Sequence, residues 1–288
     1  MENKYNMNDK KQLKVPPLDP YFYIKVEDKR NLERLEKLSH KHPVNILVTG
    51  TQGCGKSSLV RQFASFYKRP LAVFQIGLLV ESGQLFGQQR LKNGETYYQS
   101  FLFPKAIQTP GCVIHLEELN RSETPHALNE LFSVLSEDRN IWIDELGLVE
   151  VAPRVIFFAT MNEGEEFSGV DELDAALKDR FYRIHLEYLP TEVEKEVLMR
   201  KTGINENTAM EIIGVVNKLR DNPQFEENIS IRHSLMIAEL MSLGATLREA
   251  LVYSLQISKD VLESLLLAIH VETGQKENDS DEYILYTP

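Results

Sequence analysis

One stretch constrains this chain more than any other: Gly50-Thr51-Gln52-Gly53-Cys54-Gly55-Lys56-Ser57, a complete G-x-x-x-x-G-K-S. The apolar run VNILVT directly precedes it, and the helix-like SSLVRQFASFY continues from it. Strand, glycine-rich turn and helix in that order are the setting in which this spacing has a physical meaning. The glycines let successive backbone N–H groups turn inward around phosphate oxygens, and the first helical turn adds partial positive charge. Together with Ser58, these residues are expected to cradle a polyphosphate. Lys56 would reach the β- and γ-phosphates, and Ser57 would offer its hydroxyl to Mg²⁺. Cys54 occupies a position that the motif leaves open and is not expected to act as a nucleophile.

From Val44 to about Leu189, short apolar runs alternate with helix-like stretches. Val44–Thr49, Leu71–Ile76, Cys112–Leu116, Val155–Thr160 and Phe181–Leu186 read as strands, several of them apolar on both faces, as in a parallel sheet covered by helices. Lys56–Tyr67 and Pro125–Ser136 read as helices, the second with Thr124 as N-cap and Pro125 as first helical residue. After Pro190 the pattern changes: Thr191–Lys201, Asn207–Leu219, Ser230–Leu243, Leu247–Leu255 and Val261–Val271 all suit amphipathic helices, with no strand pattern among them. The expected organisation is an N-terminal arm (1–26), extended or mobile because it is polar and interrupted by Pro16, Pro17 and Pro20. An α/β core (27–189) opens on a helix over Glu27–Ser39, an α-helical lid (190–275) follows, and an acidic, frayed tail (276–288) ends the sequence.

Four further places carry chemistry. Cys112–Leu116 runs into Glu117-Glu118, and functional groups of parallel sheets gather at the carboxyl ends of strands. Glu117 would face the metal, directly or through water, and Glu118 would polarise an attacking water; the alternative is two solvated acids in a turn before Asn120-Arg121. Val155–Thr160 leads into Met161-Asn162-Glu163, where the Asn162 amide could hold that water or touch the γ-phosphate, or simply form a turn. Leu173–Phe181 (LDAALKDRF) is a short helix ending in Arg180, which in a ring could reach a neighbouring subunit's γ-phosphate; trans-acting arginines contribute roughly 10³–10⁵ in rate. Otherwise Arg180 pairs with Asp179 or Asp174 at the surface. Ser230-Ile231-Arg232 opens a helix of the lid, and Arg232 could bind the γ-phosphate in cis or lie solvated in that first turn.

Composition excludes several classes. Forty-three acidic against 32 basic residues leave a net charge of −11, which argues against a protein that coats nucleic acid or an anionic membrane. No apolar run approaches ~18 residues, so no transmembrane helix is expected, and MENKYNMNDKKQLKV has no apolar secretory core. The two cysteines, Cys54 and Cys112, follow and begin different strands, roughly 15 Å apart at ~3.3 Å per residue. A disulfide is not expected, and reduced thiols fit a cytoplasmic protein. His40 and His42 beside Pro43 read as a solvated turn, not a ligand pair.

Taken in order, these elements resemble the AAA+ ATPases, and more closely the MoxR-type branch that includes the CbbQ/NorQ activators and the chelatase-type motor subunits. The resemblance covers about residues 40–255. GTQGCGKS is similar to that family's Walker A and VIHLEELNR to its Walker B. ATMNEGEEFSG resembles the sensor-1 segment, LDAALKDRF the arginine-finger helix, and SIRHSLMIAELMSLGATLREAL the sensor-2 helix. The resemblance implies a P-loop NTPase fold, with a parallel five-stranded α/β sheet between helices followed by a small all-α lid. It also implies ATP and Mg²⁺ as ligands, Asn162 as sensor 1, Arg180 as the finger, Arg232 as sensor 2, and self-association into a ring, a hexamer in the family. Leu85-Phe86-Gly87 and Phe103-Pro104-Lys105-Ala106 look like the flanks of the family's insert, so 88–100 is expected as a loop or hairpin in the pore or on the ring face. The usual acidic pair is Asp-Glu, whereas this chain has Glu117-Glu118; one extra methylene moves the carboxylate by about 1.5 Å and puts the rate of hydrolysis in question.

The resemblance implies an ATP-driven motor or chaperone that remodels or activates a partner protein, in this family often one with a von Willebrand A-type domain. A nucleotide-gated scaffold with weak hydrolysis is the alternative raised by Glu117. A nucleic-acid-linked motor is disfavoured by the net charge of −11, and a small-molecule kinase by the lack of an acceptor pocket after the P-loop.

Overall fold

Apolar runs with β-branched and aromatic residues bury their backbones best by pairing side by side, and this chain does so in one sheet. The computed structural model describes residues 13–78, 85–121, 129–162, 175–222, 228–258, 260–263 and 282–288. A short strand β1 (Tyr23–Lys25) and helix α1 (Val26–Leu38) lead into β2 (Val44–Gly50), α2 (Lys56–Phe66) and β3 (Leu71–Gln75). A hairpin of β4 (Gly87–Lys92) and β5 (Glu95–Ser100) follows, then α3 (Leu102–Ile107), β6 (Val113–Glu117) and α4 (Asn129–Leu135). A second hairpin, β7 (Asn140–Ile143) and β8 (Gly147–Glu150), precedes β9 (Ile156–Asn162), α5 (Ala175–Lys178) and β10 (Tyr182–Leu186). Helices α6 (Thr191–Thr202), α7 (Glu206–Arg220), α8 (Ile231–Ser242) and α9 (Leu247–Leu255) come next, and strand β11 (Tyr283–Leu285) last.

The central sheet has five parallel strands in the order β10-β2-β9-β6-β3. Alternation along each strand splits its side chains between two cores. Ile46, Val48, Val113, Ile156 and Phe158 pack with α1 and α2 on one face. Leu47, Ile114, Leu116, Phe157 and Ala159 pack with α3 and α4 on the other. The helices after Pro190 close around a third core that includes Leu198, Ile213, Val216, Ile237 and Leu251. Within it Glu194, fully buried, accepts two hydrogen bonds from the Arg220 guanidinium at 2.8 and 3.0 Å and a third from Ser234 Oγ at 2.6 Å. That network locks α6, α7 and α8 together; losing one partner of such a pair would strand a buried charge.

The five expected strands are present, with ends shifted by a residue or so, and 88–100 forms the β4–β5 hairpin. Of the expected Pro125–Ser136 helix, Asn129–Leu135 is helical, and the proposed cap at Thr124 lies outside the described residues. The proposed Val261–Val271 helix is described only to 263, where it is helical.

Of the two alternatives for the arm, its described part is extended: Lys14 bridges to Leu71, Asp19 exchanges backbone hydrogen bonds with the Gln62 amide at 2.9 Å, and β1 is a strand. One expectation is overturned: the tail is not frayed over 282–288. β11 pairs antiparallel with β1, and Tyr286 is fully buried, stacked on Phe66 with ring centroids 4.9 Å apart. The Tyr21–Ile24 and Tyr283–Tyr286 apolar runs, short and embedded in polar sequence, find in each other the burial that neither has alone. Both cysteines are free and buried.

Tyr286→Ala should therefore destabilise the fold by about 3–5 kcal/mol, whereas Trp142→Ala on the exposed β7–β8 hairpin should stay within about 0.5 kcal/mol; urea denaturation of both variants makes the comparison. His115 on β6 gives a pH dependence. Burial, then the charge of Arg61, lowers its pKa from the ordinary 6.5 to about 3. The unfolded imidazole takes up a proton where the native one does not, so this contribution to stability is complete above pH 6.5 and declines as pH falls toward 3. Denaturation midpoints measured from about pH 7 to about pH 4 should fall less steeply in His115→Gln than in the parent.

Candidate active site

The site begins where β2 stops. Gly50 lies between Leu186 of β10 and Asn162 of β9 in the strand register. Its φ is +143°, and a Cβ there would lie 2.1 Å from the Leu186 carbonyl oxygen. Gly53 (φ +75°) and Gly55 (φ +102°) complete a turn that side-chain-bearing residues would strain, and α2 starts at the next residue. The Lys56 ammonium, largely buried, donates to the carbonyl oxygens of Gly50 at 3.0 Å and Thr51 at 2.6 Å. A cation at a helix N-terminus inside a glycine turn fits a polyphosphate. Cys54 Sγ is 3.9 Å from Lys56 Nζ, and burial outweighs that charge to push its thiol pKa up, as suits an unreactive position.

The carboxyl ends of β6 and β9 meet this turn. Glu117 accepts a hydrogen bond from the side-chain amide of Gln75, its register partner on β3. His115 Nδ1 lies 3.7 Å from Glu117 Oε1, too long for a hydrogen bond. With the imidazole held neutral, this contact is not an ion pair. Glu118 follows with φ +55°, a left-handed conformation rare outside glycine and asparagine, of the kind that collects at functional sites. Asn120 Nδ2 donates to the Asn162 carbonyl at 3.0 Å, tying the turn after β6 to the end of β9.

One cavity of about 440 Å³ gathers these groups: residues 52–58 of the turn and helix, Glu117, Glu118, Asn162 and, from the lid, Arg232. The lid reaches it through Ser230, the N-cap of α8, whose Cβ sits where a Cβ on Gly53 would fall, 2.1 Å away. The Ser230 N–H donates to His233 Nδ1 at 3.1 Å, and this reciprocal cap holds the first turn that carries Arg232. Ser57 and Glu117 are both in the cavity and are the oxygens that could share a Mg²⁺ ion, which on nucleotide phosphates needs only one or two protein ligands.

Arg180 stands apart. Its carbonyl accepts from Asn45 Nδ2 at 2.9 Å, its guanidinium lies 5.1 Å from the centre of the Phe132 ring, and it does not line the cavity. Asn45 and Gly50 are at opposite ends of β2, about 16 Å apart at ~3.3 Å per residue. Of the sequence-derived candidates, then, all but Arg180 belong to the neighbourhood of one cavity. Sequence reasoning missed its other wall, made by Asp19 and Tyr21–Lys25 of the arm and by Tyr283 of the last strand. The alternation of Tyr23, Ile24 and Lys25 before α1 was the available signal.

Similarity to known proteins agrees with this geometry. Residues 45–181 match the family described as "AAA domain (dynein-related subfamily)", and residues 194–266 the one described as "CbbQ/NirQ/NorQ C-terminal". The chain is 58% identical to "Putative chaperone BssE" of Thauera aromatica, over 95% of this chain and 96% of that protein. It is 26% identical to "Protein NorQ" of Paracoccus denitrificans over 72% of this chain and 76% of that one. Among solved structures, the RuvB Holliday junction branch migration motor of Thermotoga maritima superposes with a TM-score of 0.52, covering 91% of this chain and 74% of that one at 16% identity, a likeness of fold alone. Walker-type turn, parallel sheet and helical lid therefore place the chain in a family: it belongs to the AAA+ ATPases, in the MoxR branch with the CbbQ/NorQ proteins.

Proposed function

We propose that this protein is a Mg²⁺-dependent ATPase that works as a ring, a hexamer by the family's habit, and uses turnover to remodel or activate a partner protein. The observation that carries the reading is the division of cations. Lys56 and Arg232 border the cavity, and the other lysines that line it, Lys25 and Lys201, are paired with Glu187 and Asp19, whereas Arg180 is tethered at the far end of β2. A transition state that spreads negative charge over the γ-phosphoryl oxygens needs a further cation, and a neighbouring copy would supply it.

In this reading the amides of residues 53–58 bind the β- and γ-phosphates, and Lys56 exchanges two neutral carbonyl acceptors for anionic oxygens. Mg²⁺, held by Ser57 and Glu117, would withdraw charge from the phosphoryl oxygens when bound. Glu118 accepts the proton of the attacking water, and Asn162 orients that water. Arg232 contacts the γ-phosphate from the lid, so loss of that phosphate releases α8 from the P-loop and changes the angle between lid and core. A protein client is supported by the name "Putative chaperone BssE" of the 58%-identical relative and by the net charge of −11. A separate chain with a von Willebrand A-type domain is the partner that the family resemblance implies.

A second reading, a nucleotide-gated scaffold with weak turnover, is favoured by Glu117 in the place of Asp and by its engagement with Gln75. Steady-state ATPase rate set against ATP affinity separates the two: tight binding with scarcely measurable turnover in the assembled ring selects the scaffold.

Three substitutions divide the roles. Lys56→Ala should weaken ATP binding by about 100-fold, equivalent to a few charge-assisted contacts. Glu118→Gln should keep ATP affinity and lower turnover by roughly 10²–10⁴. Arg180→Ala should likewise retain ATP binding and lose about 10³ in turnover, and size-exclusion profiles with and without ATP should report assembly. Unchanged turnover in Arg180→Ala removes the shared site.

A further inference from the structure

The cavity is lined by more than the P-loop and its neighbours. Its P-loop end is polar and cationic, and its other end is walled by β1 and β11, through Tyr23, Lys25 and Tyr283. β1 has only three residues and belongs to no other sheet; β11 is its one strand partner among the described residues. A two-stranded ribbon this short is marginal by itself, so its position depends on what anchors it.

The anchoring runs through the helix that carries Lys56. Gln62 of α2 donates to the Asp19 carbonyl at 2.9 Å and to the Tyr286 carbonyl at 2.6 Å, clamping arm and tail with one amide. The ribbon is closed at both ends by Val26 N–H to the Glu282 carbonyl at 3.0 Å and by Tyr286 N–H to the Phe22 carbonyl at 2.8 Å. Alternation then sorts its faces. Ile24 and Ile284, paired in register, enter the core with Tyr286, and Ile24 also reaches the cavity wall. Lys25 and Tyr283, the next pair, border the cavity, with Lys25 Nζ 5.9 Å from the Tyr283 ring centre.

We propose that the last strand is part of the nucleotide site: β11 fixes the β1 wall, and Tyr283 supplies aromatic surface to the base and ribose of the bound nucleotide. This rests on the reading of the cavity as a nucleotide site. Base contact with an aromatic ring tolerates any base identity, so the wall sets affinity for the nucleoside half and leaves the phosphates to the P-loop. The last strand follows the lid in sequence and returns to the core, so the site draws on elements before, within and after the α/β core.

Binding of two probes, ADP and inorganic tripolyphosphate, tests this by calorimetry on the full chain, on a chain lacking 282–288, and on Tyr283→Ala. Both variants should bind ADP about tenfold more weakly, the loss of one good stacking contact, with tripolyphosphate binding unchanged. Tyr283→Ala keeps the backbone pairing and Tyr286, and it decides the matter if the shortened chain does not fold. ADP affinity equal to the parent's in Tyr283→Ala overturns the proposal. So does an equal loss for both probes, which marks the strand as a support for the fold alone. Lys56→Ala is the control for the underlying reading: parent-like affinity for both probes there removes the nucleotide site itself, whatever the tail does.

Discussion

The site depends first on how closely three strands approach at the end of β2. Gly50 is in register with Leu186 on one side and Asn162 on the other, and the Leu186 carbonyl occupies the space where a Cβ would be. Only a glycine lets β2 run to its last hydrogen bond between two neighbours and still turn at once into the P-loop. Because the strands are parallel and their ends align, the groups that follow β6 and β9 arrive at the same edge. Glu117, Glu118 and Asn162 are gathered by this alignment and not by any contact that they seek out themselves.

The lid adds a second close approach. Ser230 and Gly53 leave no room for a methyl between them, so α8 sits directly on the phosphate turn. Behind it the buried Glu194–Arg220 pair, with Ser234, makes α6, α7 and α8 one body. Arg220 also covers the Tyr188 ring at 4.9 Å, and Tyr188 OH donates to the Gln52 carbonyl at 3.1 Å. The P-loop therefore abuts three helices held together as one packed body. Packed bodies of this kind respond by moving as units because their interiors do not deform continuously. The Asp19–Lys201 ion pair between arm and α6 and the Lys25–Glu187 pair at 2.7 Å lie across the same junction, both solvent-accessible enough to exchange with water at little cost.

The sequence is most legible where a local rule has one solution. G-x-x-x-x-G-K-S between a strand and a helix, and strands apolar on both faces, admit few folds, and the five parallel strands follow the apolar runs closely. The hairpin at 88–100 is expected from its flanks, whereas β7–β8 is not. Its exposed Trp142 and Leu148 carry no burial periodicity to read. The wall of arm and tail escapes for a different reason. Tyr21–Ile24 and Tyr283–Tyr286 are too short to form stable strands alone, and the partner of each lies near the opposite end of the chain. Low local propensity is a true statement about each segment and a wrong one about the pair. Arg180 is legible as a candidate, but its separation from the P-loop depends on the length of β2 and on Asn45, a polar residue inside an apolar strand whose amide bridges the Leu135 and Arg180 carbonyls.

Glu117 stands where the family resemblance implies Asp. Extending Asp by a methylene moves the carboxylate by about 1.5 Å, which on a fixed strand would crowd any ion held by Ser57. In this chain the residue across the register from Glu117 is Gln75, and its amide donates to that carboxylate. The Gln75 amide thus holds the Glu117 carboxylate at the sheet edge beside β3, while Glu117 still lines the cavity with Ser57. The His115 imidazole is neutral and adds no competing charge beneath it. Glu117 and Gln75 are a hydrogen-bonded pair across the register of β6 and β3. The pair would share the orientation of a metal-bound oxygen that a shorter acid sets alone, because a ligating carboxylate is positioned by the groups that hydrogen-bond its free oxygen.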